Sequence, residues 1–230
     1  MADSNLLLLE EAAAKLRGLL DELVFVGGAT LSLLITDPGA APARATVDVD
    51  VIARIATYSE YDDFSERLRA RGFIEDAREN APVCRWVHGG LTVDAMPVED
   101  ILGFGNRWYR GALEAARRVA LPSGRQIRAI TAPYFLGSKI EAFRNRGERD
   151  FYASHDLEDF ASVIDGRESI CEEIASAPAD LCDYLADAAR ELLQEAHFRD
   201  ALPGYLLPDP ASQQRLGDVL RKLTDIYRRR

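Results

Sequence analysis

The chain has 230 residues, 47% of them hydrophobic and 29% charged, with a formal net charge of −10. That composition excludes a disordered or low-complexity protein, and no internal repeat stands out. The acidic balance excludes duplex binding by the whole surface, so any nucleic-acid partner has to be met at a local basic patch.

In chain order, residues 5–22 carry leucines and alanines at helical spacing. The run Leu6 to Leu9 lies between Asp3 and Glu10-Glu11, without a basic leader or a small-residue cleavage site, which reads as a cytoplasmic start. No stretch approaches the roughly 20 apolar residues of a membrane span, so no membrane partner is expected. Leu23 to Val26 reads as a strand and Thr30 to Ile35 as a short helix, ended by Asp37-Pro38-Gly39 and a loop through residue 43. Residues 46–52 read as a second strand, and Tyr61 to Arg71 as a helix. Val83 to His88 and Leu91 to Met96 alternate around Gly89-Gly90 as a hairpin, and Arg118 to Leu121 and Arg125 to Ile130 flank Pro122-Ser123-Gly124 as another. From Ala132 the pattern is helical almost to Arg230, broken near Gly147, Gly166, Pro178, Pro203 and Pro208. Cys84, Cys171 and Cys182 are odd in number and lack CxxC spacing, which reads as reduced, structural thiols.

The functional signal is concentrated in the first two strands. Gly27-Gly28 closes the first, where backbone amides at a strand-to-helix turn approach an anion closely. About twenty residues later, a span that the first unit of a phosphate-binding α/β fold occupies, comes Thr46-Val47-Asp48-Val49-Asp50. Residues two apart on a strand share a face, with Cα atoms roughly 6.5–7 Å apart. Asp48 and Asp50 are therefore expected to aim both carboxylates at one point, with Val47, Val49 and Val51 turned into a core. Two carboxylates on a strand suit Mg²⁺, which takes its remaining ligands from water and substrate phosphates. The alternative is a solvated edge strand. Asp94, in the apolar run Leu91 to Met96, is a third metal ligand or a base if its strand lies beside the second; otherwise it meets solvent near a turn.

In the helical half, Phe135, Leu136, Ile140 and Phe143 form an apolar arc of roughly 140° at 100° per residue, and Lys139 falls inside it. Such a lysine either snorkels out or has an anionic partner, such as a triphosphate that Arg144, Arg146 and Arg149 also approach. Asp156 and Asp159, spaced i, i+3, open the next helix; capping and function are both open for Asp156, and capping explains Asp159 less well.

The order Gly27-Gly28, Arg44-Ala45-Thr46-Val47-Asp48-Val49-Asp50, Val93-Asp94, then Lys139 through Arg149-Asp150 to Asp156-Leu157-Glu158-Asp159-Phe160 resembles the AbiEii-type nucleotidyltransferases of the polymerase-beta superfamily. These include toxins of bacterial toxin–antitoxin and phage-defence systems and the related MenT toxins. The resemblance implies an α+β fold: a polymerase-beta-like nucleotidyltransferase domain over residues 1–131, with a mixed sheet and flanking helices, then an all-α region over 132–230 completing the nucleotide site. It implies that Asp48 and Asp50 hold two Mg²⁺ ions, completed by Asp94, and that Gly27, Gly28 and Thr30 cradle the phosphates. Lys139 would contact the triphosphate, with Arg146 and Asp156 in the nucleotide site, and Asp159 with Asp156 would match the family's downstream DxxD. The sequence departs from the pattern at Ala29, where the family carries Ser or Thr; Thr30 follows one residue later. The implied reaction is transfer of an NMP from an NTP to an acceptor hydroxyl on a tRNA 3′ end, another RNA or a protein, by a toxin with a cognate antitoxin. A nucleotide-binding regulatory module and a small-molecule adenylyltransferase are the other classes consistent with these residues.

Overall fold

The computed structural model describes residues 3–145 and 150–228. The chain divides into two units, Met1–Ser32 with Arg44–Thr131, and Leu33–Ala43 with Ala132–Arg230. The class is α+β: a mixed sheet with helices, followed by a helical C-terminal region. Among the described residues no helix is long and apolar enough to cross a membrane.

The first unit is built on a seven-stranded sheet. Its strands are β1 (Leu23–Val26), β2 (Asp48–Ala53), β3 (Ile74–Glu75), β4 (Arg85–His88), β5 (Leu91–Pro97), β6 (Arg117–Ala120) and β7 (Gln126–Ala129), in the order β3-β4-β5-β2-β1-β7-β6. β2 is therefore central, antiparallel to β1 and parallel to β5. The two anticipated hairpins form as β4–β5 and β6–β7. β1 is buried along its whole length, as its uninterrupted apolar run requires. On β2, Val49 and Val51 are fully buried, whereas Val47 is 84% exposed. The strand begins only at Asp48, so the alternation that was expected to bury Val47 does not reach it.

Helix α1 (Ser4–Lys15) packs against β2, β5 and the 3₁₀ turn Gly28–Thr30 that follows β1. It stops well short of the expected residue 22, and Gly18 takes a left-handed φ of 81° in the turns that follow. Leu16 and Leu19 nevertheless stay buried, which is why their spacing reads as helix. α2 (Leu31–Leu34) is one turn long. α3 (Tyr58–Arg69) begins three residues earlier than expected because Thr57 and Glu60 form a capping box. The sequence pattern did not reveal α4 (Tyr109–Ala115) or the two-residue β3. Burial pushes the thiol of Cys84 in this unit up to about 12, which favours its protonated form.

The second unit comprises α5 (Ala132–Asn145), α6 (His155–Gly166), α7 (Ile170–Ala175), α8 (Ala179–Gln194), α9 (Ala196–Ala201), α10 (Pro210–Gln214) and α11 (Leu216–Arg228). α5 packs on α6 and α8, and α11 on α8 and α6. Residues 33–43 belong to this unit by their bonding to the end of α6. Gly166 O accepts from Thr36 N at 2.8 Å and Asp37 N at 2.9 Å, and a Cβ at Gly166 would come within 2.7 Å of Ile35 Cγ2. Arg215 bridges Asp165 at 2.8 Å and Asp37 at 2.7 Å. Lys222 Nζ donates to the carbonyls of Ile164, Asp165 and Arg167 at 2.7, 3.0 and 3.1 Å, so a cation serves the carbonyls that the helix end leaves unpaired.

Candidate active site

The pairing of β2 with β5 settles where the third carboxylate lies. Asp48 pairs with Thr92 and Asp50 with Asp94 in parallel register, so all three aspartates stand on one face of two adjacent strands at the middle of the sheet. Asp94 is 7% exposed, unlike a turn residue meeting solvent, and Asp48 and Asp50 are half-buried. Farther along, the same face continues into buried Ile52 and Met96, which confines the polar patch to the β2 end nearest the glycine turn.

Gly27 is fixed by two requirements. Its φ of 67° lies in the left-handed region, and a Cβ there would come within 1.8 Å of Asp50 Oδ2. The glycine therefore lets the turn lie directly against the Asp50 carboxylate. Gly28 is less constrained, its Cβ position lying 3.5 Å from Arg44 Nη2 and from Thr46 Cβ. Gly27→Ala is expected to cost about 1–2 kcal/mol from the backbone alone, with a further loss because Asp50 has to swing away. Urea denaturation checks the first effect, and a Gly28→Ala control separates the two glycines.

Each oxygen of Asp48 has a donor. Thr46 Oγ1 donates to Oδ1 at 2.8 Å and Arg85 Nη2 to Oδ2 at 3.2 Å. Thr46 is itself held by buried Asn5 of α1, whose Oδ1 accepts from Thr46 N at 3.1 Å while its Nδ2 donates to Arg44 O at 2.9 Å. Arg85 grips Asp94 with both arms, Nε to Oδ1 and Nη2 to Oδ2, each at 2.7 Å. The hydrogen bonds to Asp94 push the Arg85 guanidinium above its already high value. Asn5, Thr46, Arg44 and Arg85 were not among the expected site residues. Arg85 was within reach of the sequence: counting outward from the Gly89-Gly90 turn pairs His88 with Leu91 and Arg85 with Asp94.

Two carboxylates on one face, with a glycine cradle beside Asp50, suit one hard cation met together with a phosphate. A three-carboxylate cage does not fit, because Asp94 directs both oxygens at Arg85. Among the described residues no three His, Cys, Asp or Glu side chains converge to hold a metal.

Thr30 is fully buried and its hydroxyl donates to Gly27 O at 2.8 Å. It braces the glycine turn and is not presented to a ligand, which corrects its expected place among the phosphate contacts. Arg146, with Arg149, lies outside the described residues. Arg144 pairs with Glu191 at 2.5 Å and stands over the Tyr184 ring at 4.9 Å.

Within the helical unit, Lys139 neither snorkels nor faces solvent. Its Nζ lies 3.2 Å from Asp156 Oδ1 and 2.7 Å from Asp159 Oδ2, the second contact being an ion pair outside hydrogen-bond geometry. Its side chain is 13% exposed and theirs are 4% and 0%. Ser154, not Asp156, caps α6, accepting from Leu157 N at 3.3 Å, so the first-turn Asp156 is used for the lysine.

The chain matches no protein-family model and no curated protein. Among solved structures it is similar to an antigenic nucleotidyltransferase-like protein from Paracoccidioides brasiliensis, at 17% identity and a TM-score of 0.49 over 87% of this chain and 93% of that one. It is also similar to JHP933 from Helicobacter pylori, at 12% identity and a TM-score of 0.49 over 99% of this chain and 94% of that one.

Proposed function

We propose that this protein is a nucleotidyltransferase that moves a nucleoside monophosphate from an NTP to an acceptor hydroxyl, on RNA such as a tRNA 3′ end or on protein, as the toxin of a toxin–antitoxin or phage-defence system. The observation that carries the chemistry is the set of aspartates on the central strands, abutting a glycine turn that only glycine can make at residue 27. The toxin assignment rests on the sequence resemblance.

In this reading the Gly27-Gly28 turn receives the triphosphate, with backbone amides and the neighbouring Arg44 guanidinium facing its oxygens. Asp48 and Asp50 would hold a Mg²⁺ ion, which would supply positive charge for the phosphates. The acceptor oxygen forms a bond to the α-phosphorus, the α–β phosphoanhydride bond breaks, pyrophosphate leaves, and the hydroxyl proton passes to a carboxylate of this face. Thr46 and Arg85 keep Asp48 in one orientation, which lowers the reorganisation needed for the transfer.

The test is transfer of label from each α-³²P NTP, with Mg²⁺, to total bacterial RNA and to protein, beside Asp48→Ala. Label that appears with wild type and vanishes in the variant supports the proposal and identifies nucleotide and acceptor class together. Label that persists in Asp48→Ala removes the assignment. Nucleotide binding without label or pyrophosphate release points to the binding module.

A further inference from the structure

Like charges directly opposite one another on neighbouring strands repel, and Asp50 and Asp94 are register partners. The protein supplies a counter-charge of its own from the other side of β5. Arg85 is the register partner of Asp94 on β4, holds both Asp94 oxygens at 2.7 Å and extends to Asp48 at 3.2 Å. This is the forked geometry in which a guanidinium binds a carboxylate most tightly, and only 23% of the Arg85 side chain is exposed. A divalent ion needs lone pairs that point at one centre. Here both oxygens of Asp94 are gripped by the guanidinium at 2.7 Å, whereas Asp48 has a longer 3.2 Å contact to Arg85 and a neutral hydroxyl donor from Thr46, which leaves its oxygens lone pairs for an ion.

We propose that Arg85 is the resident cation of this face, standing where one of two divalent ions would otherwise be held, so that the protein takes a single divalent ion, met by Asp48 and Asp50 and brought in with the triphosphate. The inference rests on the nucleotidyltransferase reading for the identity of the anion that carries the ion. It gives Arg85 two consequences that a surface ion pair lacks: the three aspartates coexist without metal, and the residue sets how many ions bind.

The experiment counts bound Mn²⁺ by electron paramagnetic resonance, with and without a mixture of the four α,β-methylene NTPs. It compares wild type, Arg85→Gln, and the double variant Arg85→Gln with Asp94→Asn. Wild type is expected to bind one Mn²⁺ per chain in the presence of the analogues. Arg85→Gln is expected to gain a second, and the double variant to return to one. Melting in EDTA and in Mn²⁺ provides a second readout. Arg85→Gln should melt lower than wild type in EDTA and recover with Mn²⁺ by more than wild type does, while the double variant should not show this excess. Two ions in wild type, or no gain in a folded Arg85→Gln, overturns the inference and leaves the nucleotidyltransferase reading standing. Absence of both Mn²⁺ and analogue binding in all three proteins overturns that reading, and the inference with it.

Discussion

Lys139→Met is expected to destabilise the protein by about 3–5 kcal/mol, the usual consequence of removing one partner from a buried ion pair. The ammonium lies between Asp156 and Asp159, and the two carboxylates belong to side chains that are 4% and 0% exposed. Methionine keeps the unbranched apolar stem, so packing changes little and electrostatics dominates: the ammonium is lost with both ion pairs and with its place 5.6 Å from the Phe135 ring centroid. Chemical denaturation measures the loss. Asp159→Asn in the Lys139→Met background should restore a substantial part of it, because one buried charge is removed along with its need for a partner. A Lys139→Met protein within 1 kcal/mol of wild type would show that the ion pairs contribute little and that the lysine is kept for another reason.

The second large effect has the opposite character. Asp50→Ala is expected to lower nucleotidyl transfer by on the order of 10³-fold while leaving the protein folded. Asp50 is the register partner of Asp94 and lies against the Gly27 turn, where the ion and the phosphates would meet. Activity and melting measured on one preparation decide the matter. A fall in both together would mean that Asp50 acts as a structural residue, and retained transfer would remove it from the site.

These two residues also show what a sequence reveals and what it withholds. Asp48 and Asp50 were legible because strand periodicity alone puts them on one face, and Asp94 joined them once its strand was taken to lie beside theirs. Lys139 was legible as an anomaly, a cation inside an apolar arc, but its partners depended on how α6 packs against α5, which local periodicity does not contain. The first helix was read too long because Leu16 and Leu19 are buried in irregular turns, and burial leaves the same imprint on a sequence whether or not the backbone is helical. Thr30 was assigned to the ligand from its place beside the glycines, yet its hydroxyl is consumed by Gly27 O three residues back, a contact set by the 3₁₀ turn. Asn5 was invisible for a simpler reason: it supports Thr46 from 41 positions away, and nothing local marks a buried asparagine as a brace.

The attachment of residues 33–43 to the end of α6 has a consequence for synthesis on the ribosome. β1 and β2 are neighbours in the sheet, but the stretch between them finds its carbonyl acceptor at Gly166 and its guanidinium clamp at Arg215, more than a hundred residues later. The antiparallel pair that carries the aspartates can zip up early, whereas its connecting loop stays unanchored until most of the chain has emerged. The last part of the front half to settle is therefore the loop of residues 33–43, so a chain stalled or cleaved before α6 would carry the carboxylate strands without the Gly166 acceptor and the Arg215 clamp that hold that loop.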